Sequence, residues 1–337
     1  MPQEYVAIVG NAPNAPIQAY VAVVDASGNV ISGSYGPPGG RLTLTTLTPV
    51  MVATVSAAAS VLYTPYNDDI VPIYNGTSWL MTQFAELSNV LANSAVGSAG
   101  PAAAANNSNY DLFVWNNAGV MTLTRGPAWT SDTARSAGTA LTLQNGLLLN
   151  SVAITNGPAA LRGTYVGTIR TNGTATVDMI FGASGAAAFM AVWNAYNRVN
   201  ILPRGIENTA SWTYTTGTIR AANNTALTRV SFIRGLDEDM VEAQYQCEVT
   251  LIALAGAFFS SFVLLDGTTA QAATSTRGFV ISPSGVATGG TNLIARYTGF
   301  PGAGWHFVQG GESGDGSNAN TINANNLYQM ITATLRA

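Results

Sequence analysis

Asn75-Gly76 stands between two apolar runs, Asp69 to Tyr74 and Thr77 to Met81. Asn and Gly tolerate positive φ, so this pair between strand-like runs predicts a hairpin. Pro72 cannot donate to a ladder, which places the first run on a sheet edge. The same punctuation recurs along the chain. Tyr110 to Trp115 and Val120 to Thr124 flank Asn116 to Gly119, and Thr164 to Arg170 and Thr174 to Phe181 flank Thr171-Asn172-Gly173. Ser211 to Arg220 and Thr225 to Ile233 flank Ala221 to Asn224. Short strands with turn signals about every ten residues predict an all-β chain of β-sandwich or jelly-roll type, built from hairpins.

Period-two alternation supports this. Leu42, Leu44 and Leu47 alternate with Thr43, Thr45 and Thr46 over Arg41 to Thr48, as a half-buried strand does. Tyr245, Cys247 and Val249 alternate with Gln246, Glu248 and Thr250. Val249 to Leu265 carries no charge and approaches the length of a membrane span. Its alternation and the Ala255-Gly256 break read instead as a buried hairpin with Phe258 to Leu265. The chain's opening has neither the basic nor the apolar segment of a secretory leader. One short helix is expected over Thr82 to Ala92, where Phe84, Leu87, Val90 and Leu91 recur at helical spacing.

The expected organisation is a small β module over 1–64, a hairpin, helix and small-residue linker over 65–109, and a sandwich-like domain over 110–337. Asn93 to Asn109 is polar and aperiodic and reads as the linker. Gly167-Thr168-Ile169-Arg170 and Gly217-Thr218-Ile219-Arg220 repeat one tetrapeptide, which raises an internal duplication.

The charge inventory excludes several functions. The 337 residues hold 13 basic groups, all Arg, against 17 acidic ones, for a net charge of −4. No basic stripe is present to neutralise nucleic-acid phosphates. Cys247 stands alone, against a disulfide or zinc scaffold. No cofactor motif appears.

Few residues carry catalytic chemistry. His306 is the single imidazole and lies between Trp305 and Phe307, as a packed residue would. Cys247, on an apolar strand, reads as a quiet core thiol. Asp68-Asp69 and Asp237-Glu238-Asp239 with Glu242 are the acidic clusters. A glycosidase needs two carboxylates facing one bond, but neighbours on a strand face opposite ways, so these read as solvated turns. Asp315, Ser317 and Asn318 form a weak candidate metal loop, without the closing Glu of an EF-hand. Trp129 and Trp305 fall beside Gly- and Pro-containing turns and are the candidates for contact with a glycan. No catalytic residue is expected.

Four stretches resemble segments of bacteriophage and prophage proteins of fibre or spike type. They are Tyr66-Asn67-Asp68-Asp69-Ile70-Val71-Pro72-Ile73-Tyr74-Asn75-Gly76-Thr77-Ser78-Trp79 with Phe84 and Leu87, Tyr110-Asp111-Leu112-Phe113-Val114-Trp115, Arg125-Gly126-Pro127-Ala128-Trp129, and Tyr165-Val166-Gly167-Thr168-Ile169-Arg170. The resemblance runs from about Tyr66 to the C-terminus and brings no defined site. It implies a virion structural protein, assembled as a homotrimer in the bacterial host cytoplasm. In that picture residues 1–64 dock on other virion proteins and the C-terminal domain faces outward, toward host-surface polysaccharide. A capsid decoration (cement) protein and a polysaccharide-degrading spike enzyme are the alternatives. A hydrophobic fraction of 47% with 9% charged residues suits a subunit that buries apolar faces against its own copies.

Overall fold

The computed structural model describes residues 5–9, 19–24, 30–33, 36–93, 100–283, 289–323 and 329–337, the first three segments as backbone alone. It is all-β. Among the described residues the helical elements are two three-residue turns, Ala137–Thr139 and Ala222–Asn224. No helix there is long and apolar enough to cross a membrane. The chain divides into two compact units, 1–178 with 192–199, and 179–191 with 200–337. The division does not follow the expected boundaries at 64 and 109. Val30 pairs with Trp79, so one sheet runs through the first boundary, and Asn109–Asn117 pairs with Val120–Ala128 and Thr164–Arg170. Residues 10–18, 25–29 and 34–35 of the expected N-terminal module and 94–99 of the expected linker lie outside the described residues.

In the first unit, a five-stranded sheet runs in the order Tyr5–Val9, Ala19–Val24, Val30–Gly33, Trp79–Gln83, Ile70–Tyr74. Pro72 therefore sits on an edge strand, as expected. The turn differs in detail. Tyr74 pairs with Trp79, leaving the four-residue loop 75–78, and only Gly76 takes positive φ. Two-residue turns with positive φ at both positions fall instead at Ala118-Gly119, which joins Asn109–Asn117 to Val120–Ala128, and at Asn145-Gly146, which joins Leu141–Gln144 to Leu147–Asn150.

The second sheet of this unit orders Val120–Ala128, Asn109–Asn117, Thr164–Arg170, Leu147–Asn150 and Leu141–Gln144, with Val192–Asn194 also on Thr164–Arg170. Every residue of Thr164–Arg170 is buried. It does not pair with 174–181, because the polar backbone of a strand buried on both faces needs a ladder on each side. A third sheet holds Gly40–Thr43, Ser60–Pro65 and Leu87–Val90.

That third sheet overturns the expected helix at 82–92. Trp79–Gln83 and Leu87–Val90 are strands, and Leu87–Val90 pairs with Ser60–Pro65. An eleven-residue helix is marginal alone, and ladder pairing outweighs its propensity. The strand expected through Thr48 stops at Thr43. The Thr43 hydroxyl donates to Thr48 O at 2.7 Å and accepts from Thr45 N at 3.2 Å, so the side chain competes with the ladder and bends the chain.

In the second unit two sheets face each other. One orders Gly278–Ile281, Phe258–Leu265, Gly304–Ser313, Arg229–Arg234 and Ala188–Met190, the last two parallel. The other centres on Val241–Thr250, between Thr291–Gly299 and Met330–Arg336. The predicted alternation holds here, because Val241, Ala243, Tyr245, Cys247 and Val249 are all buried. Gly310 provides room for this packing, since a Cβ there would lie 2.5 Å from the Tyr245 ring. Val241–Thr250 and Phe258–Leu265 belong to opposite sheets, so they do not form the expected hairpin. Ser211–Tyr214 and Arg229–Arg234 likewise pair elsewhere, with Asn320–Asn323 and Gly304–Ser313. The repeated tetrapeptides also differ in setting, since Thr164–Arg170 is a buried strand whereas 217–219 is a loop leading into Arg220–Ala221.

Candidate functional site

The predicted site residues are dispersed. Trp129 is buried, and the Arg135 guanidinium lies 4.1 Å from its ring centroid. That covers a ring face a sugar would need. Trp305 is half-buried on the strand Gly304–Ser313, with its centroid 4.6 Å from that of Phe189. The Asp315 carboxylate accepts from Ser317 N and Asn318 N at 2.8 and 2.7 Å, from Asn318 Nδ2 at 2.7 Å and from Phe258 N at 3.2 Å. Its oxygens face N–H donors, as in an Asx turn. Burial alone would raise this carboxyl, yet these bonds hold it below its ordinary value. Among the described residues no group of three His, Cys, Asp or Glu is placed to hold a metal.

His306 is 3% exposed, and its Nδ1 lies 2.8 Å from Asp266 Oδ2. The other Asp266 oxygen accepts from Phe307 N at 2.9 Å, so this acid caps the strand as well as orienting the ring. Nε2 has no hydrogen-bond partner, and no hydroxyl nucleophile meets it. Cys247 is buried, and burial pushes its thiol up to about 12. Asp237, Glu238 and Glu242 are exposed, while Asp239 is buried with Oδ1 3.5 Å from Arg336 Nη1. Asp68 Oδ1 accepts from Ile70 N at 2.8 Å, and Asp69 Oδ2 from Gln83 Nε2 at 2.6 Å.

Two buried acids of the second unit escape the sequence reading. Glu312 is 1% exposed and Glu207 0%. Glu312 Oε1 accepts from Arg220 Nε at 2.8 Å and Asn223 N at 3.1 Å, and Oε2 accepts from Trp212 Nε1 at 2.9 Å. Glu207 Oε1 accepts from Asn208 N and Thr209 N, both at 3.0 Å, and from Thr209 Oγ1 at 2.8 Å; Oε2 accepts from Thr225 Oγ1 at 2.9 Å. Asn223 links the pair, because its Nδ2 donates to Thr209 Oγ1 at 3.1 Å. Asn223 and Asn224 both take left-handed backbone, which Asn tolerates better than most residues.

The two carboxyls are pushed apart. Burial raises Glu312, outweighing its bonds from Trp212, Arg220 and Asn223. Burial also acts on Glu207, but the donors from Thr209, Thr225 and Asn223 together hold it below its ordinary value. Divergent carboxyls mark acid–base pairs in some enzymes. Here each oxygen is occupied by a donor of the chain and neither acid is open to a substrate. The arrangement braces the segment 208–225, including Trp212 and the Arg220 guanidinium 3.8 Å from the Tyr214 ring centroid. One signal was available in sequence. Glu312 has the same parity as His306 and Val308 on an alternating strand, which points it inward.

A groove in the first unit, lined by Asp111, Phe113, Pro127, Thr139, Asn150 and Ile154, has room for about one water molecule. One sheet edge of the second unit carries exposed apolar side chains. Phe279 and Ile281 are 44% and 48% exposed on the end strand Gly278–Ile281. The register puts Phe258 on the same face, its centroid 5.6 Å from that of Phe279. Exposed edges of this kind are templates for pairing with another chain.

No family model and no curated protein matches the chain. Among solved structures, an exo-β-1,3-galactanase from Phanerochaete chrysosporium aligns over 95% of this chain and 75% of its own at 11% identity, with a TM-score of 0.14. The infectious bursal disease virus Gx strain aligns over 96% and 72% at 9% identity, TM-score 0.16. T=1 particles derived from infectious bursal virus align over 94% and 68% at 9% identity, TM-score 0.14. Likeness at these scores carries no argument about fold or function.

Proposed function

We propose that this chain is a structural subunit of a bacteriophage virion, of fibre or spike type, assembled as a homotrimer. The observation that carries the reading is how the acids are used. Glu207 and Glu312 are sealed and fully hydrogen-bonded by their own chain, so they serve as internal braces and not as reagents. Non-local β pairing raises the barrier to unfolding, which suits a particle that persists outside a cell. The apolar edge at Phe279 and Ile281 supports association with other chains. Residues 1–64 dock on other virion proteins, and the distal part faces host-surface polysaccharide. It does so without Trp129, whose ring is covered.

The test locates the chain on purified particles with a labelled antibody and measures the mass of the isolated protein by sedimentation. Label on projecting fibres and a mass three times 34.9 kDa are expected. Label spread over the shell, with particles that lose strength without this chain, replaces the reading by the decoration protein. Release of oligosaccharides from host polysaccharide replaces it by the spike enzyme.

A further inference from the structure

The loop 44–54 spends structure to hold apolar side chains outward. Leu47 is 74% exposed and Val52 82%. Leu47 takes φ of +54°, uncommon for a bulky side chain, as the third residue of a turn closed by Thr48 N donating to Thr45 O at 3.2 Å. The loop is braced from beneath. Leu47 N and Thr64 Oγ1 both donate to Glu86 Oε2 at 2.6 Å, and Arg41 Nε donates to Pro49 O at 2.8 Å. Met51 turns inward, and Leu44 N lies 3.3 Å from its sulfur.

The strand Val55–Ala58 continues the surface. Its hydrogen-bonded neighbour is the strand Val177–Ile180, and among the described residues no strand pairs with its other side. Ala57, also at positive φ, is anchored by its N–H to Asp178 Oδ1 at 2.6 Å. From Leu42 to Asn67 the sequence contains no charged residue.

We propose that this loop and edge strand form the surface on which a second copy of the chain docks. The inference rests on the homotrimer reading and says where in the first unit that trimer is held; within 1–64 it gives 44–60 to the second copy and leaves the rest to dock on other virion proteins. Charge favours a copy over a charged partner. The whole chain is net negative, but between Leu42 and Asn67 two copies meet on uncharged side chains, and the adjoining carboxylates of Glu86 and Asp178 each accept from a backbone N–H of that stretch. Size fits as well. Apart from Met51, every residue from Thr45 to Ser60 is exposed or half-exposed, which supplies much of the roughly 20–30 residues a side of a standard interface. The open strand edge adds backbone hydrogen bonds.

Sedimentation velocity at micromolar concentration compares the wild type, the double variant Leu47→Asp with Val52→Asp, and the control Val120→Asp, whose side chain is exposed at a hairpin end. Wild type and control are expected as oligomers, and the double variant at 34.9 kDa with its β circular dichroism retained. Maleimide labelling supplies a readout that does not depend on a charged variant folding, since the native Cys247 is buried. Val52→Cys is expected to react on the order of tenfold slower than Val120→Cys in the oligomer, and equally fast after dilution to monomer. A double variant that stays oligomeric, or a Val52→Cys as reactive as Val120→Cys in the oligomer, overturns this surface and leaves the trimer standing. A monomeric wild type overturns the trimer itself.

Discussion

The Arg135 guanidinium grips the Asp111 carboxylate with two parallel hydrogen bonds, Nε to Oδ2 at 2.8 Å and Nη2 to Oδ1 at 2.9 Å. Asp111 is 1% exposed, and Thr168 Oγ1 donates to Oδ1 at 2.7 Å. The same guanidinium lies against Trp129, so one cation ties an ion pair to an aromatic core.

Replacing Asp111 by Asn removes the charge that compensates a largely buried Arg. The expected loss is about 3 kcal/mol in urea unfolding, with the slope unchanged. The double variant Asp111→Leu with Arg135→Met is expected to be more stable than Asp111→Asn, because it leaves no charge uncompensated. A double variant less stable than the single one refutes this account.

Glu207 and Glu312 predict opposite pH dependences. Glu207 is held below its ordinary value, so its contribution is present above that value and is lost as pH falls through the folded-state one. Glu207→Gln is therefore destabilised at neutral pH, by an amount that shrinks on acidification. Glu312 is raised above 4.5, so the folded state holds its proton more tightly than the unfolded one. Its contribution falls as pH rises above 4.5, and Glu312→Gln flattens that part of the profile. Stability measured from pH 3 to 8 in the three proteins reads both slopes. Parallel profiles for the two variants would count against the assignment.

Arg125 is fully buried in the first unit. Nη1 donates to Asn89 Oδ1 at 2.5 Å and Val90 O at 3.0 Å, and Nη2 donates to Asn93 O and to Ala102 O at 2.8 Å. Arg125→Met keeps most of the volume and removes four hydrogen bonds. A loss of about 3–5 kcal/mol is expected in urea unfolding. An unchanged unfolding midpoint contradicts the bracing role of Arg125.

Gly167 takes φ of +154° where the ladder between Asn109–Asn117 and Thr164–Arg170 shifts register. A Cβ there would lie 2.3 Å from Trp193 O and 2.7 Å from a Leu42 methyl. Gly167→Ala is expected to cost at least about 2–3 kcal/mol, since backbone and core must both yield. Gly119, with φ of +96° and open space around it, is the control for backbone strain alone. A smaller loss for Gly167→Ala than for Gly119→Ala contradicts the close-packing argument.

The sequence reading succeeded where the cause is local. Pro72 marks an edge because it lacks an N–H, and Tyr245, Cys247 and Val249 face inward because strand side chains alternate. It failed where partners are distant. Thr174 to Phe181 is the nearest strand-like run to Thr164–Arg170, yet the ladder goes to Asn109–Asn117, with partners 50 to 61 positions apart. The strand expected through Thr48 groups Leu47 with Leu42 and Leu44, but Leu47 has the opposite parity to both, and the Thr43 hydroxyl diverts the backbone before it. The parity of Glu312 points it inward, but its link to Glu207 through Asn223 was not legible, since the two acids lie far apart in sequence.

Composition, alternation and turn residues were enough to determine that this chain is built of strands, because backbone preference and side-chain parity act over a few neighbours. Which strand lies beside which, which carboxylates are sealed and which aliphatic residues are left in solvent were decided only by tertiary structure. Those outcomes depend on filling hydrogen bonds and volume jointly among segments far apart in the chain, such as Leu42 N and Asn194 Oδ1, 152 positions apart and 2.6 Å from each other.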